Sequence, residues 1–118
     1  MYFLTGTNLL CAADQRREEV SKLSEIKLLI LDVLKPHNPS IVEVSRRLSD
    51  LRGVSGVNCM LEEVDKETDS LKITIEGTDI SYNDVEKTLE MMGAVIHSVD
   101  CVSAGKKIVN SVETPQDR

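Results

Sequence analysis

Two histidines and one strand-borne carboxylate are the first residues in this sequence whose types could do chemistry. His37 lies in the loop just after an apolar run, residues 25–34, and His97 lies inside a second apolar segment, residues 95–100. Imidazole can bind metals or move protons near physiological pH. Asp32 interrupts the first apolar run, where a carboxylate needs a partner or water. These three positions therefore define where a site would be sought.

The candidate ligand-binding set is completed by two lysines. It consists of Asp32, Lys35, His37, His97 and Lys106. If the two apolar segments are antiparallel neighbours, the end of the first lies near the start of the second, so the histidines could approach one another. A metal or anion would then bind between them. The alternatives are a surface histidine, a histidine at an oligomer contact, and an Asp32 held in a structural ion pair.

A second candidate site is acidic. Asp65, Glu67 and Asp69 alternate along a polar segment, and alternating carboxylates can bind a hard divalent cation such as calcium. The full EF-hand pattern is absent, because the sixth position counted from Asp65 is Ser70 and not glycine. The alternative is an acidic turn that is simply solvated.

Composition excludes several classes of function. The net charge of −6 repels phosphate backbones, and aromatic residues make up 3% of the chain, too few for a base-stacking platform. Nucleic acid is therefore not an expected partner. No apolar stretch reaches the roughly 20 residues of a membrane span. The three cysteines, Cys11, Cys59 and Cys101, are widely spaced, which favours reduced thiols in a cytoplasmic protein.

Hydrophobic periodicity predicts six elements of secondary structure. Apolar runs and alternating patterns indicate strands, and apolar residues spaced three and four apart after Ser40 and Ser81 indicate capped helices. Gly53 and Gly93 end the two helices. The predicted elements are strand 25–34, helix 40–51, strand 56–64, strand 71–76, helix 81–92 and strand 94–102, with a polar turn at 65–70.

The order of these elements, β-α-β-β-α-β, predicts an α+β ferredoxin-like sandwich. Right-handed crossovers give an antiparallel sheet of order 4-1-3-2 with both helices on one face. The domain spans residues 25–109, preceded by a flexible extension, 1–24, and followed by a disordered tail, 110–118. The first strand is apolar on both faces, so the uncovered face of the sheet predicts a homo-oligomer.

Three sequence motifs resemble a small archaeal family of uncharacterised proteins. They are LDVLKPH at residues 31–37, GAVIHSVD at 93–100 and AGK at 104–106. The resemblance implies a ferredoxin-like fold and assembly into homo-oligomers, expected to be closed rings. It implies no activity and supplies no catalytic residues. Members are expected to have an acidic residue at position 101, where this chain has Cys101.

The sequence thus predicts a homo-oligomeric module that binds a small ligand or a metal ion at its subunit interfaces. Two other functions remain open at this point. The chain could be a pure self-assembling or protein-interaction scaffold, or an enzyme that uses a histidine as a general base.

Overall fold

The computed structural model describes residues 25–110 of the 118-residue chain. The predicted extension, 1–24, and all but the first residue of the predicted tail lie outside the described residues. No helix in the described part of the chain is long and apolar enough to cross a membrane.

A four-stranded antiparallel sheet and two helices make up the described domain. The strand order is β2-β3-β1-β4, which confirms the predicted ferredoxin-like topology read from the other edge. The elements are β1 (Ile26–Pro36), α1 (Ile41–Ser49), β2 (Val54–Val64), β3 (Thr68–Gly77), α2 (Tyr82–Met91) and β4 (Val95–Ala104).

The core lies between the sheet and the helices. Every second residue of a strand points to the same face, and on β1 and β3 these positions are aliphatic and buried: Leu29, Leu31, Val33, Leu71, Ile73 and Ile75. Leu31 pairs with Ile73 across the two central strands. The helices complete the core with Val44, Leu48, Val85 and Leu89. Burial of these side chains is what holds the two layers together.

Both helices begin directly after the serines that the sequence analysis predicted as their caps. The Ser40 hydroxyl accepts a hydrogen bond from the Glu43 amide at 3.4 Å, and the Ser81 hydroxyl accepts one from Asp84 at 3.3 Å. The Glu43 carboxylate pairs with Arg47 one turn later, at 2.9 Å. At the end of the first helix, Gly53 has a φ of +87°, and a Cβ there would collide with the backbone carbonyl of Asp79. Glycine is therefore required at this position.

All four strands are longer than the sequence predicted, and β1 and β3 lengthen together at one end of the sheet. β1 continues to Pro36 and β3 begins at Thr68, because Lys35 pairs with Asp69 and Pro36 with Thr68 in the ladder. The polar segment 65–70 was predicted as one turn, but only its first three residues connect the strands. The cause is an ion pair, described below, that gives Asp69 a buried partner.

The central position of Leu31 makes it a test of the core. Leu31→Ala removes a fully buried side chain, so the free energy of unfolding should fall by about 2–5 kcal/mol. Val42→Ala is the matched control, because Val42 is 59% exposed and surface changes usually cost within about 0.5 kcal/mol. Urea denaturation of both variants measures the difference. Equal losses in the two variants would contradict this assignment of the core.

Candidate functional site

A buried lysine at the end of β1 organises the most polar part of the domain. Lys35 is 1% exposed. Its Nζ atom donates to the carbonyl oxygens of Pro36 at 2.9 Å, His37 at 3.1 Å and Pro39 at 2.7 Å. A fourth contact joins Nζ to Asp69 Oδ2 at 3.0 Å. Three N–H groups therefore serve four acceptors, and the buried charge is fully compensated.

The position of Lys35 follows from the alternation of β1. Residues 29, 31, 33 and 35 share the face toward the helices, and the last of them lies where the strand runs out into the loop before α1. Its long side chain bends onto the carbonyls of that loop, whose Asn38–Pro39 peptide bond is cis. The charged end of Lys35 thus lies at the edge of the apolar core.

Asp69 and His37 complete this cluster. Asp69 Oδ1 lies 2.9 Å from His37 Nδ1, and His37 Nε2 lies 2.8 Å from the carbonyl oxygen of Lys66. The Lys66 carbonyl, and then the Asp69 carboxylate, raise the pKa of His37 above its usual value. The hydrogen bond from Lys35, and then that from His37, hold the pKa of Asp69 below its usual value. We call Lys35, His37 and Asp69 the clamp.

The clamp draws on both of the predicted sites and matches neither. Lys35 and His37 come from the predicted ligand-binding set, and Asp69 comes from the predicted cation site. Neither prediction paired them, because no local pattern links residues 34 positions apart. The one available signal was a lysine at an inward-facing position of a strand, which needs a buried acceptor.

The rest of the predicted ligand-binding set lies elsewhere. Both ring nitrogens of His37 contact the β2–β3 hairpin, whereas His97 is exposed on β4, on the other side of β1. Asp32 lies on the sheet face away from the helices, paired with Lys72 and Ser98. Lys106 follows the end of β4, which pairs with the start of β1. The five residues are therefore spread along the full length of β1.

The three carboxylates of the predicted cation site are also separated. Asp65 and Glu67 are exposed in the hairpin turn, while Asp69 turns into the clamp. Within residues 25–110, no group of three or more His, Cys, Asp or Glu side chains is arranged to hold a metal ion. The geometry of these residues gives the calcium prediction no support.

A second polar network lies on the open face, which we define as the sheet face away from the helices. Lys72 reaches across β1 to Asp100 on β4, with Nζ 2.8 Å from Oδ2, and the Ser98 hydroxyl donates to Oδ1 at 2.7 Å. The hydrogen bond from Lys72 lowers the pKa of Asp100, and the same bond raises the pKa of Lys72. Glu62 and Asp32 add further negative charge near Lys72.

This network makes the open face less apolar than the sequence indicated. Ile30 and Leu34 lie on it, as expected from β1, but β3 contributes Lys72, Thr74 and Glu76. A shallow depression of about 320 Å³ lies at the far end of β3 from the clamp. Its lining residues are Ser55, Gly56, Val57, Asn58, Thr74 and Glu76.

The two cysteines in the described residues are free thiols in different environments. Cys59 faces the helices opposite Ile73, and burial raises the pKa of its thiol to about 11. It is therefore a thiol, not a thiolate, near neutral pH, and a poor nucleophile. Cys101 pairs with Ile30 across β1 and β4.

Comparison with known proteins places this domain in a family. The family model DUF211, described as an uncharacterized ArCR, matches residues 27–118. The uncharacterized protein MJ0319 of Methanocaldococcus jannaschii is 44% identical over 96 residues, which cover 81% of this chain and 99% of that protein. The chain belongs to the DUF211 family, and the predicted archaeal family resemblance is confirmed.

Lys35→Met tests whether the ammonium holds the loop before α1. The variant keeps the apolar stem and leaves three carbonyls and a carboxylate without their donor. Because each orphaned buried acceptor costs about 1–3 kcal/mol, Tm should fall by about 10 °C or more in a domain of this size. Calorimetry measures the shift. The matched control is Lys72→Met, whose lysine is 36% exposed in an open-face ion pair and should shift Tm far less.

Asp69 should produce an acid-sensitive contribution to stability. Its pKa is lowered in the folded state, so its contribution is complete above the unfolded-state value of about 3.9 and is lost as pH falls through the lower folded-state value. The stability gap between the parent chain and Asp69→Asn should therefore close as pH falls below about 4. Chemical denaturation between about pH 2 and 5 checks this. A gap independent of pH would show that the carboxylate charge contributes nothing.

Proposed function

We propose that this chain is a homo-oligomeric module that assembles through the edges of its sheet and binds a small ligand or a metal ion where subunits meet. The observation that carries the proposal is the state of the two edge strands. β2 and β4 are 11 and 10 residues long, and within residues 25–110 each pairs with a neighbour on one side only. Long edges without cover are the feature that monomeric proteins usually avoid.

Exposed apolar side chains lie along both edges. On β2 these are Met60, Leu61 and Val64, which are 57%, 45% and 61% exposed. On β4 they are Val95, Val99 and Val102, which are 60%, 43% and 52% exposed. Pairing β2 of one copy with β4 of the next would cover both rows and satisfy the free backbone groups. Head-to-tail contacts of this kind form a ring when the successive rotations from one copy to the next lead back to the first copy.

The ligand part of the proposal falls on the β4 side of the open face. Lys35 and His37 use their polar hydrogens inside the clamp, so they have no donor left for a ligand. Asp32, His97 and Lys106 remain, and Asp100 lies near His97. Imidazole and carboxylate groups contributed by two subunits can together bind a divalent metal, and Lys72 can bind an anionic group.

A pure scaffold is the second candidate, and one observation favours it. In residues 25–110, no buried side-chain nitrogen or oxygen lacks a hydrogen-bond partner. The clamp is thereby accounted for as a structural device.

An enzyme with His37 as a general base is less well supported, because both ring nitrogens face oxygen acceptors and a ring that donates twice has no lone pair for a substrate proton. A cytoplasmic location is part of the same proposal, in keeping with the free thiols of Cys59 and Cys101.

Native mass spectrometry on gently purified protein tests the assembly. We expect a defined number of subunits, and we expect Leu61→Lys and Val99→Lys each to shift the population toward monomer, because a charge would be buried at the contact. Val42→Lys is the matched control, since Val42 is at least as exposed as Leu61 and Val99 but lies on α1. A monomer in the parent chain, or equal effects of all three lysines, would contradict edge assembly.

The same spectra test the ligand. Extra mass on the assembled species that disappears in His97→Ala, with the subunit number unchanged, is the result expected of the binding module. An assembled species with no extra mass, before and after metal addition, would leave the scaffold as the function.

A further inference from the structure

His37 adds a side-chain link just beyond the last ladder pair of β1 and β3, Pro36 with Thr68. It lies in the loop between β1 and α1, and its ring bonds to the hairpin between β2 and β3, 29 and 32 residues further along the chain. The hairpin turn closes with a bond from the Asp65 amide to the Thr68 carbonyl at 2.8 Å. The side chains of Asp65, Lys66 and Glu67 are exposed. In the described residues, the His37 ring thus makes the one side-chain hydrogen bond that ties the tip of the hairpin, residues 65–67, to the rest of the domain.

Both partners of the ring are hydrogen-bond acceptors. The Lys66 carbonyl oxygen has no hydrogen to donate, and the Asp69 carboxylate is kept ionised by Lys35. Both ring nitrogens must therefore donate, which only the protonated imidazolium does. A neutral ring has one N–H and would set the lone pair of its other nitrogen against an oxygen.

We propose that His37 is a proton-operated latch that holds the tip of the β2–β3 hairpin against the loop before α1 when it is charged and releases the tip when it is neutral. The neutral ring keeps its bond to Asp69, because a hydrogen bond to an ionised acceptor is the stronger of the two. The bond to the Lys66 carbonyl is the one lost. The hairpin then retains its strand ladder, while the turn at residues 65–67 loses its anchor and its Asp65–Thr68 hydrogen bond opens more often.

The charges around the ring are consistent with this action. From β3, Asp69 favours the charged ring, and from β1, Lys35 disfavours it. The hairpin turn adds the exposed side chains of Asp65, Lys66 and Glu67, and the first turn of α1 adds Glu43, which is paired with Arg47. The His37 side chain is 45% exposed, so its proton exchanges directly with solvent.

The pH range follows from the direction of the shift. The pKa of His37 is raised in the folded state, so the latch is fully closed below the unfolded-state value of about 6.5 and opens as pH rises through the higher folded-state value. Proton binding and closing of the tip are linked equilibria. For each unit by which closing the tip raises the pKa of His37, protonation of His37 favours the closed tip by about tenfold.

Nuclear magnetic resonance tests the latch on the full chain. The ring ¹⁵N shifts of His37 report whether the ring is imidazolium, and hydrogen exchange of the Asp65 amide, corrected for intrinsic rate, reports whether the tip is held. We expect protection of this amide to fall as His37 deprotonates, by the factor that its measured pKa shift dictates. The core amide of Val85, which bonds to the Ser81 carbonyl, should not change over the same range.

Two variants separate the latch from general effects of pH. In His37→Gln the protection of the Asp65 amide should not change over the pH range in which His37 titrates, because glutamine carries no titrating charge. His97→Gln is the matched control and should behave as the parent chain does. A parent chain whose Asp65 protection does not follow His37, or a His37→Gln chain that keeps the same pH response, would overturn the proposal. So would a His37 ring that is neutral below pH 6.

Discussion

The Lys35 ammonium is the constraint on which this part of the structure depends. A charge that is 1% exposed must be matched where it lies, since the cost of an unpaired buried ion exceeds the stability of a small domain. Its acceptors come from two places. One is the end of β1 with the loop that leads into α1, and the other is the beginning of β3. The ion pair therefore sets where β1 ends, where α1 begins and where β3 starts.

That constraint also divides the polar residues of the chain into two groups. His37 and Asp69 look like functional residues in the sequence, yet their polar atoms are used within the clamp. The groups left for other molecules lie on the open face and along the strand edges, where Asp32, His97 and Asp100 sit beside exposed apolar side chains. An internal clamp at one end of β1 and available groups across the sheet suit a protein that functions through its surfaces.

Much of the fold was predictable because its causes are local. The alternation of Leu71, Ile73 and Ile75 predicts a strand buried on one face, and the spacing of Val44 and Leu48 after Ser40 predicts a capped helix packed on it. With six elements in this order, the handedness of the crossovers leaves few topologies. The sheet order followed from that rule, and the observed order agrees with it. The family resemblance rested on local motifs and was equally accessible.

The site is the part that the sequence by itself could not determine. Segment 65–70 is polar throughout, and by local pattern it is a turn; the tertiary structure makes Asp69 a buried strand residue because Lys35 faces it from β1. By the sequence, His97 and His37 could approach one another where adjacent strand ends meet, but His37 bonds to the β2–β3 hairpin and His97 lies on β4, on the other side of β1. Local patterns report which residues prefer burial. Which charge lies opposite which is decided only when strands distant in sequence are aligned, since an ion pair acts over a few ångströms of space and not along the chain.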